Sequence, residues 1–439
     1  MPIDSGSPRW QLKKLTELGE LNRGRSRHRP RHAPHLYGGP YPFIQTGDVK
    51  ASGGRISSYQ QTYSEAGLAQ SRLWPAGTLC ITIAANIAET GILDFPACFP
   101  DSIVGFVADS SVCNVRFVEY LFRGIRNQIQ FEASEGGTVQ DNINVATLDR
   151  LRIPIPEKRV QDALAEALGA LDDKIELNRR MNQTLESMAR TIFRSWFVDF
   201  DPVVAKAEGR QPFGMSAEVA TLFPDRFVES AIGPVPQGWP VRSIDEILEL
   251  NPIRSLRKGD TAPYLEMANL PKTQARVADW EFRAFSSGMK FRNGDVLLAR
   301  ITPCLEHGKT AYVDFLDDDQ VAWGSTEYIV LRSRAPIPPE YAYFLARSED
   351  FRAHAITNMT GSSGRQRVPA SSLAGFPIVY PAAAIAQKFG LLATSAFAQM
   401  KSNDEQSRTL AALRDTLLPK LMSGELRVRD AEKLVGAHV

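Results

Sequence analysis

The sequence predicts an α+β protein with two tandem globular domains and two long helices that pair as an antiparallel coiled coil, related by a pseudo-twofold internal repeat. Three observations support this fold class. Similar segments recur in the same order in both halves of the 439-residue chain. Short strand-like runs follow one another without crossover helices. Each half then ends in a long stretch whose apolar residues alternate in steps of four and three, as in a coiled coil.

The repeat begins at the first tryptophan of each half. Trp10 and Trp239 are 229 residues apart (239 − 10), and each is followed by an ELN motif, at residues 20–22 and 249–251. Further matches keep the same order: YPFIQTGDV with APYLEMANL, WPAGTLCITIAANIAETG with FRNGDVLLARITPCLEHG, and SEGGTVQDNINVATLDRLRIPIP with NMTGSSGRQRVPASSLAGFPIVYP. The offset falls to 217 (291 − 74) and returns to 225 (381 − 156), so the loops differ in length while the scaffold is kept.

Each globular half is expected to contain a twisted, largely antiparallel sheet. In both halves a glycine turn precedes an apolar strand, and the strand runs into a polar loop closed by Gly91 or Gly308. The boundaries that we expect are a first domain at 1–156, its helix at 157–200, a linker at 201–235, a second domain at 236–381, its helix at 382–424 and a fraying tail at 425–439.

The two long helices are predicted to pair through a shared seam. A helix of about 38 residues is about 57 Å long and is marginal alone, so it needs a partner for its apolar face. The seam residues that we expect are Leu164, Leu168, Leu171, Ile175, Asn178, Leu185 and Ile192 in the first helix, and Phe389, Leu392, Asn403, Leu410 and Leu417 in the second. The alternative, in which each helix packs only on its own domain, remains open from the sequence.

Composition and motif content favour a binding protein over an enzyme. The formal net charge is +1, and 43% of the residues are hydrophobic, as in a soluble globular protein. We find no phosphate-binding GxxxxGK[ST] loop, no HExxH or other zinc-ligand spacing, no GxSxG elbow, and no [DN]PP[YF] loop of an amino-methylating enzyme. No export signal or membrane span is recognised, so we expect a cytoplasmic protein with no metal, no catalytic residues and four reduced cysteines.

Three loops that recur in both halves carry side chains suited to DNA. Basic residues can neutralise phosphates, and arginine, asparagine and glutamine can also read base edges. The candidates are Arg23, Arg25, Arg27, Arg29, Arg254, Arg257 and Lys258 after the ELN motif, Asn86, Thr90, Arg300 and Lys309 in the polar loop, and Thr138, Gln140, Arg365 and Arg367 in the glycine-rich loop. An ordinary solvated loop or structural turn is the alternative explanation for each of these groups.

The order of these elements resembles the specificity subunit of type I restriction–modification systems. The stretch TIFRSWFVDFDPV (residues 191–203) and the end LRDTLLPKLMSGELRV (residues 413–428) also resemble that family. The resemblance covers nearly the whole chain and implies two target-recognition domains, each reading one half of a bipartite target in double-stranded DNA. It implies that the length of the paired helices sets the unread spacer between the two halves.

The same resemblance implies partners and cofactors. Two modification subunits, which methylate adenine and bind S-adenosylmethionine, would dock against the helices and domains. Restriction subunits with ATP- and Mg-dependent motor and nuclease activity would join them. No cofactor is expected in this chain itself.

Two other functions remain open from the sequence. An atypical DNA-modifying enzyme would show activity from the purified chain alone. A non-catalytic nucleic-acid-binding adaptor would bind without preference for any duplex sequence, even within an assembled complex.

Overall fold

A computed structural model describes residues 10–135, 143–362, 364–423 and 425–438. The chain divides into two compact units, one made of residues 1–176 and 406–439 and the other of residues 177–405. Each unit contains one globular repeat together with a part of both long helices.

The first repeat is a mixed domain that leads into a 40-residue helix. Its strands are β1 (Gln11–Lys13), β2 (Gly19–Arg23), β3 (Tyr37–Phe43), β4 (Gly54–Ile56), β5 (Gln61–Tyr63), β6 (Leu79–Thr82), β7 (Thr90–Leu93), β8 (Ile103–Ala108) and β9 (Ile153–Ile155). Its helices are α1 (Thr46–Ala51), α2 (Glu65–Ala69), α3 (Val115–Glu135), α4 (Val145–Arg150) and the long α5 (Lys158–Phe197). The main sheet has the order β2-β8-β6-β7-β4, antiparallel except for the parallel pair β4 and β7.

The remaining chain begins with a helical linker and then repeats the domain. The linker contains α6 (Asp201–Ala207), α7 (Ala217–Leu222), β10 (Phe227–Val228) and β11 (Val235–Pro236). The second repeat contains the strands β12 (Val241–Ser243), β13 (Leu248–Leu250), β14 (Thr261–Leu265), β15 (Glu281–Ala284), β16 (Met289–Phe291), β17 (Asp295–Ala299), β18 (Thr310–Tyr312), β19 (Ala322–Gly324), β20 (Tyr328–Ser333) and β21 (Pro377–Val379). Its helices are α8 (Ile244–Ile247), α9 (Pro339–Arg347), α10 (Glu349–Thr357) and α11 (Ala370–Ala374), followed by the long α12 (Ala383–Met422) and by α13 (Val428–Gly436). Two sheets, β13-β20-β17-β18 and β15-β14-β19-β16, form its centre.

The central strand of each repeat is apolar on both faces because both faces are covered. In β6, Leu79 and Ile81 enter one hydrophobic cluster while Cys80 enters another. In β17, Leu297 and Ala299 likewise face a cluster different from that of their neighbours. Successive side chains of a strand point to opposite faces, so an uninterrupted apolar run fits a strand buried on both sides.

Equivalent backbone hydrogen bonds confirm the internal repeat. The amide of Ile83 donates to the Ser102 carbonyl at 2.9 Å, and the amide of Arg300 donates to the Glu327 carbonyl at 3.0 Å. These positions are offset by 217 (300 − 83) and 225 (327 − 102), which are offsets found by matching the sequences. The expected α+β fold class with a duplicated domain is therefore confirmed.

The two long helices run antiparallel within each unit. Both are 40 residues long, and their first residues are 225 apart (383 − 158). In the unit of residues 1–176 and 406–439, Leu164, Leu168 and Leu171 share a buried cluster with Leu410 and Leu417. In the unit of residues 177–405, the rings of Phe193 and Phe389 are 5.8 Å apart, and the Asn178 side-chain amide donates to the Asn403 carbonyl at 3.2 Å.

The expected seam needs one correction, in α12. Leu392 is 49% exposed, whereas Ala393 and Phe397 are buried. This part of α12 packs on α9 as well as on α5, with the Phe397 ring 5.8 Å from Tyr343. A straight helix with 3.6 residues per turn drifts away from a strict seven-residue repeat, so the buried stripe here follows steps of four. Three further expected seam residues, Ile175, Leu185 and Ile192, are partly buried.

The C-terminal segment is ordered, although we expected it to fray. It forms α13, in which Ala431 and Val435 are 0% and 4% exposed within the hydrophobic cluster of the first repeat. The polar composition of this short segment concealed its apolar positions four residues apart, which is the spacing of one helical face.

The four cysteines are free thiols. Burial raises the pKa of Cys98 to about 11 and that of Cys113 to about 12, and it also raises the pKa of Cys80. The buried thiols therefore stay protonated at neutral pH and pack as small apolar groups.

Candidate nucleic-acid interface

In each repeat the polar loop after the central strand meets the segment that precedes the closing helices. The amide of Ile143 donates to the Ile83 carbonyl at 3.0 Å, and that of Val368 donates to the Arg300 carbonyl at 2.9 Å. In the second repeat the amide of Thr302 also donates to the Gln366 carbonyl at 3.0 Å. Two of the three candidate loops of that repeat thus lie side by side on a rigid sheet, where binding residues commonly concentrate.

In the first repeat the basic loop reaches the same end of the sheet. The Arg23 Nε donates to the Asp101 carbonyl, and the Arg31 guanidinium pairs with the Asp101 carboxylate at 2.7 Å. Asp101 immediately precedes Ser102, whose carbonyl accepts the Ile83 amide. Three basic side chains of this loop are exposed, and one of them donates to two backbone carbonyls of the loop itself: Arg25, Arg27 and Arg29, the last to Ser26 and His28.

The polar loop of the first repeat holds one conformation that carries Asn86. The Thr82 hydroxyl donates to the Asn86 carbonyl and accepts the Glu89 amide at 3.0 Å. Ala85 and Ala88 have φ values of 66° and 61°, in the left-handed region that residues other than glycine rarely adopt. Asn86 itself is half-buried, with part of its surface open to solvent.

Two candidate contacts point into the protein and need correction. Thr90 is 8% exposed, and its hydroxyl donates to Glu119 at 3.1 Å. The Arg254 side chain is 12% exposed and pairs at 3.3 Å with Asp295, which is fully buried. Both side chains are committed to interior partners, so we withdraw Thr90 and Arg254 from the candidate DNA contacts.

The other basic candidates of the second repeat differ in how far they are engaged. Arg257, Lys258 and Arg365 are exposed, while Arg300 is half-buried. The Lys309 ammonium donates to the Met267 and Ala268 carbonyls at 2.5 and 3.2 Å. The Arg367 guanidinium is paired with Glu327. Thr138 and Gln140, with the rest of the first glycine-rich loop, lie outside the described residues.

The basic loop of the second repeat occupies a different place from its counterpart. Arg254 binds Asp295 at the start of β17, whereas Arg300 follows the end of that strand. A positive φ of 53° at Asn251 redirects the chain just after β13. The order of matched segments predicts equivalent loops, but the direction a chain takes after a strand depends on single backbone conformations such as this one.

Two acidic residues at the site were missed by sequence reasoning. Asp101 holds the basic loop of the first repeat, and Glu327 pairs with Arg367 through Nε at 2.9 Å and Nη2 at 2.6 Å. The pair with Glu327 keeps the pKa of Arg367 above its ordinary value. Both carboxylates lie just before the strand that pairs with the central strand, and that position was the available signal.

A second feature is an apolar groove in the unit of residues 177–405. A cavity of about 700 Å³ is lined by residues of α5, of the linker and of α12, including Ile192, Trp196, Met215 and Leu392. Phe213 lies at its rim with its side chain fully exposed. An exposed apolar surface of this kind marks a site of interaction with another protein.

Metal and membrane features were searched over the described part of the chain. Within residues 10–135, 143–362, 364–423 and 425–438, no cluster of histidine, cysteine, aspartate and glutamate could hold a metal ion. In those same ranges no helix combines the length and the apolar character needed to cross a bilayer.

A duplicated α+β scaffold with exposed basic loops and paired helices defines a recognition protein, and comparison with known proteins specifies its class. Residues 8–187 match the family described as the type I restriction modification DNA specificity domain. The chain is 24% identical to the type I restriction enzyme MjaIX specificity subunit of Methanocaldococcus jannaschii, over 96% of this chain and 94% of that protein. It is 26% identical to the HindI specificity subunit of Haemophilus influenzae, over 67% and 72%.

Solved structures agree on the fold. The S subunit of a type I restriction–modification system from M. genitalium has a TM-score of 0.53 at 14% identity, covering 96% of this chain and 98% of that one. The chain belongs to the family of type I restriction–modification specificity subunits.

Proposed function

We propose that this chain is the DNA sequence-recognition subunit of a type I restriction–modification complex, in which each repeat reads one half of a bipartite target. The observation that carries the proposal is that both repeats place a polar loop at the end of the same central strand, through the same backbone hydrogen bonds. The scaffold is equal in the two repeats, while the side chains differ, with Ile83 in one and Arg300 in the other. Two readers of different half-sites need this combination.

The role is proposed as non-catalytic. Methyl transfer from S-adenosylmethionine belongs to two modification subunits, and ATP- and Mg-dependent cleavage belongs to restriction subunits, in a cytoplasmic complex. This chain would hold the duplex while a modification subunit takes an adenine out of the stack.

We further propose that the apolar groove docks a modification subunit. Phe213 is a fully exposed aromatic residue beside a pre-formed cavity, which is the arrangement of an interface anchor. Phe213→Asp is expected to reduce co-purification with the modification subunit. Phe282→Asp is the matched control, since Phe282 is 64% exposed on β15 of the same unit and does not line the groove. Equal co-purification of both variants would contradict this docking site.

The recognition role is tested with purified components. The chain assembled with its modification subunits is expected to methylate a duplex library at one split sequence, and the chain alone is expected to methylate nothing. Methylation by the chain alone would contradict the non-catalytic role. Assembled complexes without any sequence preference would contradict the recognition role.

A further inference from the structure

The glycine-rich loop of the second repeat is a closed turn that carries one exposed arginine. Thr360 and Arg367 exchange two backbone hydrogen bonds of 2.9 and 2.8 Å, and the Arg365 amide donates to the Ser362 carbonyl at 3.0 Å. Positive φ values at Gly361 and Gly364, of 123° and 82°, permit the turn. Arg365 therefore projects from a loop whose backbone is tied on both sides.

Arg367 supports this loop. Its Nε and Nη2 donate to the Glu327 carboxylate, and its Nη1 donates to the Arg365 carbonyl at 3.2 Å. The charge of Arg367 is balanced by Glu327, so this guanidinium contributes little to phosphate neutralisation. Its contacts instead connect the end of the loop to the start of β20.

Arg365 differs from Arg367 because its guanidinium is uncommitted. No hydrogen bond or ion pair joins it to another residue in the described part of the chain. An arginine on a pre-organised backbone loses little further conformational freedom when it binds, which favours an oriented bidentate contact. The bidentate partner of a guanidinium on DNA is the O6 and N7 edge of guanine.

We propose that Arg365 reads a guanine in the half-site of the second repeat, and that the Glu327–Arg367 pair positions it. This inference rests on the proposed recognition function and adds the base and the positioning residues. The first repeat has a glutamine, Gln140, at the matching sequence position, 225 residues earlier (365 − 140). The half-sites of the two repeats are therefore expected to differ at this position.

The test uses the complete complex and duplexes in which each base pair of the split target is changed in turn. The half-site of the second repeat is the half that is retained when residues 1–156 are exchanged for those of a relative. Arg365→Ala is expected to reduce discrimination at one G·C pair of that half by roughly 5- to 150-fold and to leave other positions unchanged. Glu327→Gln is expected to reduce discrimination at the same pair by a smaller factor, with an unchanged melting temperature.

Arg257→Ala is the matched control, because Arg257 is an exposed arginine in the basic loop of the same repeat. It is expected to weaken binding equally for all sequences and to lower the salt slope by about 1, as loss of a phosphate contact does. The inference is overturned if Arg365→Ala behaves in this uniform way, or if the half-site contains no G·C pair. A complex without any sequence preference would instead overturn the proposed function.

Discussion

Glu119 lies in a buried charged cluster of the first repeat. It is 3% exposed, accepts a hydrogen bond from Thr90 and pairs with Arg123 at 2.9 Å. Asp172 of α5 pairs with Arg123 at 3.4 Å and with Arg414 of α12 at 2.5 Å. Charged groups removed from water need such partners, so this cluster holds α3 against both long helices through mutually satisfied charges.

The pH dependence of stability follows from this cluster. Burial raises the pKa of Glu119 to about 7, although Arg123 opposes the shift. Since the pKa is higher in the folded state, the stabilisation linked to the protonated carboxyl is complete below about 4.5 and is lost as the pH rises through about 7. Between pH 5 and 8, the wild-type free energy of unfolding is expected to fall relative to that of Glu119→Gln by on the order of 1–3 kcal/mol.

Urea denaturation across this pH range measures the difference between the two proteins. Glu65→Gln is a control for the loss of a carboxylate, because Glu65 is exposed on α2 of the same repeat. Parallel pH profiles for the wild type and Glu119→Gln would contradict the assignment.

Residue types at matched positions predicted the candidate loops but not which side chains are available. Arg254 and Arg257 are three residues apart in one basic loop, yet Arg254 pairs with a buried aspartate and Arg257 is exposed. The deciding partner, Asp295, is 41 residues away in sequence. Such a pairing depends on the tertiary fold, which local patterns of charge do not contain.

The paired helices carry buried asparagines in their seam. Asn178 and Asn403 are 1% and 4% exposed, and Asn403 Nδ2 donates to Asn182 Oδ1 at 2.8 Å. A buried amide favours the alignment in which its hydrogen bonds are made, because every other alignment leaves polar groups unpaired. The seam therefore specifies the register of the helices within this unit.

Asn403→Ala is expected to lower the free energy of unfolding by about 1–3 kcal/mol, because it leaves the Asn182 side chain without this partner in the interior. Ser402→Ala is the control, since Ser402 is the exposed neighbour on the same helix, and it should change stability by less than about 0.5 kcal/mol. Urea midpoints compare the two variants. Equal midpoints would show that the buried amide does not stabilise the pair.

The C-terminal helix is expected to stabilise the first unit. Val435→Ala removes buried apolar volume and should cost about 1–3 kcal/mol. The adjacent Leu434 is 45% exposed, so Leu434→Ala should have a much smaller effect. Thermal unfolding of the two variants separates these outcomes. A larger loss from Leu434→Ala would contradict the packing of α13.

Periodicity predicted the existence, length and partner of the long helices well, because a long apolar stripe leaves few alternatives. It failed at Leu392, where α12 contacts a second neighbour, α9, and its buried face turns accordingly. It also failed in α13, where one turn of apolar spacing is too short a signal to distinguish a helix from a tail. Both errors arise where packing rather than local sequence decides the outcome.

The whole chain repeats its scaffold and varies its reading loops. The long helices keep a constant offset of 225 (383 − 158 and 422 − 197), and the central strands make equivalent backbone hydrogen bonds. The loops differ in side chains and, after β2 and β13, in direction. Equal scaffolds suit two identical partners, whereas different loops suit an asymmetric target.

The central claim is that the two repeats read separate halves of one DNA sequence. Sequencing of methylated adenines in cells that express this chain with its modification subunits tests it most directly, once with the natural chain and once with residues 1–156 exchanged for those of a relative. We predict a split motif, of which the exchange alters one half and leaves the other unchanged. A single uninterrupted motif, or an exchange that alters both halves, would contradict the claim.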